Sequence, residues 1–172
     1  MEALSEFLIS LNLGSVVNDN DWVWPVCEIF HFFGMALLIG TVGLLDARIL
    51  GLGKGIPVSS LERFVPWGVA GFVINAVTGF IFIAGNPIGG PMDYLGNLAL
   101  QIKMILVVIA GLNLLAYYFT GIAKAAVAAG PDDSIMPSAK VVAGISITMW
   151  FGVIIFGRLI MYNDTLLLAL GL

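Results

Sequence analysis

Charge is what this sequence has least of. Seven Lys and Arg and eleven Asp and Glu among 172 residues leave 10% of the chain charged, where an ordinary soluble domain carries about 25%. With 60% of its residues hydrophobic, a water-soluble fold of this length has too little interior to hide its apolar surface. The cations Arg48, Lys54, Arg63, Lys103, Lys124, Lys140 and Arg158 are scattered along the chain, so no basic patch offers itself to nucleic acid. Cysteine occurs once, as Cys27, which excludes an intrachain disulfide. Histidine also occurs once, as His31. No HExxH, GxSxG or P-loop is present, which removes the common hydrolase and nucleotide chemistries and leans against an enzyme.

Long apolar runs are what the chain has in their place. They predict an all-α bundle of four transmembrane helices over about 22–49, 66–84, 98–119 and 138–162, forming a single integral membrane domain across 1–172. Trp22 and Trp24 stand at the start of the first run, where tryptophan anchors a helix to the interface. Gly51, Gly53, Gly55 and Pro57 separate the first two runs, and Ser59 or Ser60 is placed to cap a brief helix through Glu62 and Arg63. Asn86-Pro87 and Gly89-Gly90-Pro91 form the next loop. The third run is expected to continue as helix to Ala129, where Gly130-Pro131-Asp132-Asp133 breaks it. Thr165–Leu172 is an apolar tail too short to span.

Residues 1–13 carry Glu2 and Glu6 where a secretory signal has a positive region. Leu4, Phe7, Leu8 and Leu11 recur at helical spacing, with Ser5, Glu6 and Ser10 between them, which predicts a short amphipathic helix on the membrane surface. Arg48, Lys54 and Arg63 flank one connection, and Lys124 and Lys140 another on the same side. The opposite side has Asp19, Asp21, Asp93 and Asp164 and no cation in its loops. The positive-inside rule then places both termini outside the cytoplasm, in a bacterial inner membrane.

Lipid gives helices no hydrophobic reason to associate, so small residues and polar contacts must hold them together. Ala36, Gly40 and Gly43 supply such a stripe on the first span. Gly71, Asn75 and Gly79 supply it on the second, and Gly144, Thr148 and Gly152 on the fourth. These stripes predict a tight bundle, a homo-oligomer or assembly into a larger membrane complex. Asn75 and Asn113 lie roughly 14 and 10 Å from the inner ends of their spans, a depth at which the two amides form a candidate structural pair between helices.

Ionisable residues within the spans point to function, because each is costly there unless paired. Glu28 and His31 lie roughly 9 and 13 Å below the outer start of the first span. Lys103 lies roughly 7 Å below the start of the third, and Arg158 roughly 6–8 Å below the end of the fourth. Pairing of Glu28 with Lys103 or Arg158 is the obvious way to lower the cost. Two cofactor readings and one bland reading follow for His31. In the first, His31 ligates a b-type haem with Met104 as the second axial ligand, while Lys103 and Arg158 neutralise the propionates. In the second, Cys27, His31 and Met35, on one helical stripe at four-residue spacing, hold copper with help from Met104. In the third, His31 binds no cofactor and is neutral, hydrogen-bonded to Glu28. A Lys–Glu pair at this depth also suits a proton relay.

The segments W-V-W-P-V-C-E-I-F-H-F-F-G (22–34), L-L-D-A-R-I-L-G (44–51), P-W-G-V-A-G-F-V-I-N-A-V-T-G (66–79) and N-L-A-L-Q-I-K-M (97–104) resemble a family of small bacterial four-helix integral membrane proteins. The resemblance covers about 22–113. The recurring positions of that family match Glu28, His31, Pro66, Trp67, Asn75 and Lys103, and the likeness implies the fold while bringing no activity with it. A looser similarity to copper-resistance membrane domains and to small haem-associated protoporphyrinogen oxidases rests on a histidine early in a helix that ends in an inner Arg; the further histidines of those proteins are missing here. The expectation is therefore a membrane redox or cofactor-binding protein with its site in the outer half of the bilayer. An accessory or structural subunit, and copper binding or transport, are the alternatives.

Overall fold

A computed structural model describes residues 2–130 and 135–171 of the chain. In chain order it contains α1 (Glu2–Ser10), α2 (Leu13–Asn18), α3 (Val23–Leu50), α4 (Val58–Glu62), α5 (Val65–Ala84), α6 (Gly90–Leu95), α7 (Leu98–Phe119), α8 (Ile122–Ala128), α9 (Pro137–Leu159) and α10 (Asn163–Leu170), with a 3₁₀ turn at Ile160–Tyr162 between the last two. No strand occurs among the described residues. The helices α3, α5, α7 and α9 are long and apolar enough to cross a membrane, and the chain is a multi-pass membrane protein by that measure. Phe32, Phe33, Trp67, Phe119 and Phe151 are each at least 60% exposed. Outward aromatics of this kind suit lipid and would be a liability in water.

The long helices alternate in direction. The end that carries both termini is termed outer, after the charge asymmetry. Packing is sequential on two sides, with α3 against α5 and α7 against α9, and α3 against α9 joins the two pairs. Helices α5 and α7 share at most marginal contact. The bundle is thus closed on three sides, with a cleft along the α5–α7 seam.

Small residues set the α3–α5 approach, though only some of them belong to the expected stripes. A Cβ on Gly71 would stand 2.6 Å from the Gly34 carbonyl oxygen and 2.9 Å from Leu37 Cβ. A Cβ on Gly34 would stand 2.8 Å from the Gly71 carbonyl oxygen, and one on Gly68 would stand 2.5 Å from Thr41 Oγ1. Gly34, Gly68 and Gly71 are therefore the residues that let these backbones touch. The predicted stripe of Ala36, Gly40 and Gly43 is not the contact: Ala36 is exposed and nothing lies within 4 Å of a Cβ on Gly40. On α9, Gly152 receives Leu106 of α7, whereas Gly144 faces open space and the exposed Thr148 hydroxyl donates to its own helix at the Gly144 carbonyl, 2.8 Å away. Spacing places small residues on a face, but which face meets a neighbour depends on the rotation of the whole helix.

A cluster of buried residues packs together at the inner end. Ile49 and Val58 are almost wholly buried, and Leu45, Tyr117, Ala123, Ala126, Ile135, Ala139 and Ala143 complete one cluster with them. The short helices α4 and α8 close this end. The expected continuation of the third helix to Ala129 does not occur. Thr120 ends α7, and Gly121 turns the chain at φ 82°, a left-handed conformation that costs glycine little, before α8 begins. Pro131, Asp132 and Asp133 of the predicted break lie outside the described residues. Helix α4 starts after Pro57 in extended conformation, so Ser59 and Ser60 lie inside it and do not cap it.

At the outer end, the loop expected over 85–97 contains α6. Asn97 closes that loop twice over. Its side-chain oxygen accepts from the Leu100 N–H at 3.1 Å, capping α7, and its amide donates to the Ile160 carbonyl at 2.9 Å. The Leu98 N–H donates to Asn163 Oδ1 at 3.0 Å, so the start of α7 is tied to the start of α10. Helix α1 packs on α6 and α5 with Ser5 and Leu8 inward, while Leu4, Phe7 and Ile9 face out. Of the four apolar residues expected on one face, Leu8 is turned to the bundle and Leu4, Phe7 and Leu11 are exposed.

Candidate functional site

His31 lies in the third turn of α3 and faces α5, because the Gly34–Gly71 contact one turn deeper fixes how the two helices meet. Its Nδ1 lies 2.7 Å from Thr78 Oγ1. The Thr78 hydroxyl is itself a donor to the Ile74 carbonyl at 2.7 Å. A hydroxyl has one proton to give, so Thr78 accepts from His31 and Nδ1 carries the hydrogen. This leaves Nε2 as a bare lone pair, with no hydrogen-bond partner among the described residues. Gly79, the next residue on α5, leaves room for the ring: a Cβ there would lie 3.8 Å from His31 Cε1. Phe82 stacks obliquely on the ring at 5.4 Å, and Trp24 packs on Phe82 at 4.9 Å, so aromatic groups cover His31 on its outer side.

A cavity of about 290 Å³ opens inward of this cover, lined by His31 and Met35 from α3, Asn75 from α5 and Lys103 and Met104 from α7, among apolar neighbours. Three soft or borderline donors, one imidazole and two thioethers, therefore share one cavity. Lys103 reaches it across α9 at Gly157, where a Cβ would stand 3.4 Å from Nζ. No ion pair between Glu28 and Lys103 or Arg158 is found among the described residues.

The remaining expected residues stand elsewhere. Glu28 is exposed at the outer surface, where Trp24 Nε1 donates to its Oε1 at 3.2 Å. Its carboxylate faces α6: burial, then the Asp93 and Glu28 charges, push the Tyr94 phenol above its ordinary range. Glu28 thus does not orient His31; Thr78 does. Arg158 is exposed and lies over the Tyr162 ring at 5.5 Å, with Nη2 directed at the Tyr162 hydroxyl at 3.5 Å. Cys27 is buried and does not line the cavity. No group of three or more His, Cys, Asp or Glu capable of holding a metal is found among the described residues.

Asn75 and Asn113 do not pair. The Asn75 amide donates to the Gly71 carbonyl in its own helix at 3.0 Å and lines the His31 cavity. The Asn113 amide donates to the Val142 carbonyl of α9 at 3.0 Å and lines a second, deeper cavity. The seam between α5 and α7 keeps them apart, which depth along each helix does not reveal. Thr78 is the residue that sequence reasoning missed. Its signal was its place beside Gly79 and three residues from Asn75, on the face that holds the small residues of α5.

No family model matches the chain, and no curated protein or solved structure does.

Proposed function

We propose that this chain is a membrane redox or cofactor-binding protein whose ligating atom is Nε2 of His31. The observation that carries the reading is the Thr78–His31 hydrogen bond. Ligating histidines almost always donate their other ring N–H to a fixed acceptor, which sets the tautomer and orientation of the free nitrogen. Here the acceptor is a buried hydroxyl already committed as a donor to backbone, so the imidazole has only one tautomer that satisfies Thr78. A bare nitrogen beside two methionines is poorly explained by structural duty alone.

The first identity for the cofactor is a b-type haem. In that reading His31 and Met104 would hold the iron, a donor pair that raises the potential of a haem. Lys103 would hold one anionic substituent. Arg158 contributes only if it leaves Tyr162. The α5–α7 seam supplies a lateral opening from the lipid. Haem supplies one-electron chemistry; the protein's part is to fix the imidazole, keep water out with Trp24 and Phe82, and place one positive charge at the cavity edge. The second reading is copper, favoured by Met35, Met104 and His31 lining the same cavity, a soft donor set suited to Cu(I). Cys27 drops out of that set.

The test is an absorption spectrum of the protein in mild detergent, as isolated and after dithionite, with metal analysis of the same sample. A Soret band with α and β bands on reduction supports haem; stoichiometric copper without them supports the second reading. His31→Ala is expected to lose the cofactor and keep its helical circular dichroism. A well-folded, colourless and metal-free wild type would overturn both readings and leave an accessory subunit as the role.

A further inference from the structure

The second cavity, about 190 Å³, lies inward of the first and is enclosed by the same four long helices. Asp46 of α3 and Tyr117 of α7 both line it, at 6% and 5% exposure. Each has a buried oxygen, Asp46 Oδ2 and Tyr117 Oη, with no hydrogen-bond partner among the described residues. Ser146 of α9 lines the same cavity, close to the Asp46 side chain. No cationic side chain pairs with Asp46 among the described residues. A buried carboxyl group with no counter-ion is costly in its charged form unless a cation enters to compensate it.

The polar groups on this cavity are spent unevenly. The Asn113 amide nitrogen is committed to Val142, which leaves its carbonyl oxygen as an acceptor. What remains uncommitted is chiefly acceptor: Asp46 Oδ2, the Asn113 oxygen and the lone pairs of Tyr117. Such a set repels anions and carbonyl compounds and suits a cation with several N–H donors. The rest of the wall is apolar and aromatic, including Phe72, Tyr118 and Trp150, and ring faces attract a cation by their quadrupole. The space is several times the roughly 30 Å³ share of a water molecule, so a bare ion would leave most of the apolar wall uncovered. Because α5 and α7 stand apart, access is from the lipid.

We infer that this inner cavity binds a lipophilic primary ammonium, its N–H groups on Asp46 and Tyr117 and its apolar body against Phe72 and Trp150. The site is separate from that of His31, although Leu38, Phe72, Val107 and Trp150 line both cavities, and the inference does not rest on the cofactor reading.

The test is equilibrium dialysis of the full chain in mild detergent with labelled 2-phenylethylammonium, and with 2-phenylethanol as the neutral counterpart. Saturable binding of the amine is expected, with the alcohol weaker by roughly 30-fold or more, since it cannot compensate the carboxylate. Asp46→Asn, which keeps the volume and removes the charge, is expected to weaken the amine by a similar factor. Equal binding of amine and alcohol to the wild type would overturn the inference without recourse to any variant. So would the absence of saturable amine binding, or an unchanged affinity in a folded Asp46→Asn protein.

Discussion

Adding one methyl group at Gly71 is expected to loosen the bundle, and adding one at Gly144 is not. At Gly71 the new Cβ would meet the Gly34 carbonyl oxygen at 2.6 Å and the Leu38 amide nitrogen at 2.9 Å. Both are backbone atoms of a long helix, so neither can swing aside. To reach ordinary contact, which begins at 3.4 Å, α3 and α5 must part by nearly a further ångström locally. A gap of 0.5–1 Å already forfeits about a quarter to a half of the dispersion well for each pair it separates. Inserting a methyl group into a tight interface costs about 1–3 kcal/mol. Alanine in place of glycine in a helix recovers up to about 1 kcal/mol of that in propensity. The net expectation for Gly71→Ala is a loss of up to about 2 kcal/mol. At Gly144 no atom lies within 4 Å of the new Cβ, so only the propensity gain remains and Gly144→Ala is expected to be neutral or slightly stabilising. Because Thr78 rides on α5 two turns from Gly71, Gly71→Ala is also expected to weaken the His31–Thr78 contact and with it any cofactor. The assay is reversible unfolding of both variants in mixed detergent micelles, followed by circular dichroism. Gly71→Ala as stable as wild type, or Gly144→Ala as damaging as Gly71→Ala, would refute the helix contact described here.

Three further outcomes follow from particular contacts. Thr78→Val removes the acceptor for His31 Nδ1 at nearly constant volume, and cofactor affinity is expected to fall by about 10–100-fold, read by titration of the apoprotein. Asn97→Ala loses both the cap of α7 and the donor to Ile160; a cost of about 1–2 kcal/mol is expected in thermal unfolding, with Asn97→Asp recovering the capping part alone. Tyr94, outside the spans, has its phenol pushed up by burial and by Asp93 and Glu28. A group that holds its proton more tightly when folded loses stability as pH rises, because the unfolded chain releases the proton first. Stability is therefore expected to fall above pH ~10, and Tyr94→Phe to fall less over the same range; identical pH profiles would count against the placement of Tyr94.

The sequence by itself determined the fold class. Four apolar runs separated by Gly, Pro and charged turns can only satisfy their backbone in lipid as helices, and those helices are found at α3, α5, α7 and α9. It also drew attention to His31, Lys103, Met35 and Met104, because ionisable and soft side chains are rare in such runs. Tertiary structure decided how they meet. Helical spacing puts Cys27, His31 and Met35 on one stripe, but the rotation of α3 against α5, set by Gly34 on Gly71, buries Cys27 elsewhere and turns His31 to Thr78. Depth puts Asn75 near Asn113, but the open α5–α7 seam sends them to different cavities. Asp46 lies within the first predicted span and has no role legible from sequence; only the fold buries it beside the inner cavity with one oxygen bare. Local pattern fixes what a helix is, whereas which of its faces meets a neighbour depends on close contacts between residues distant in the chain, and single-helix periodicity does not contain them.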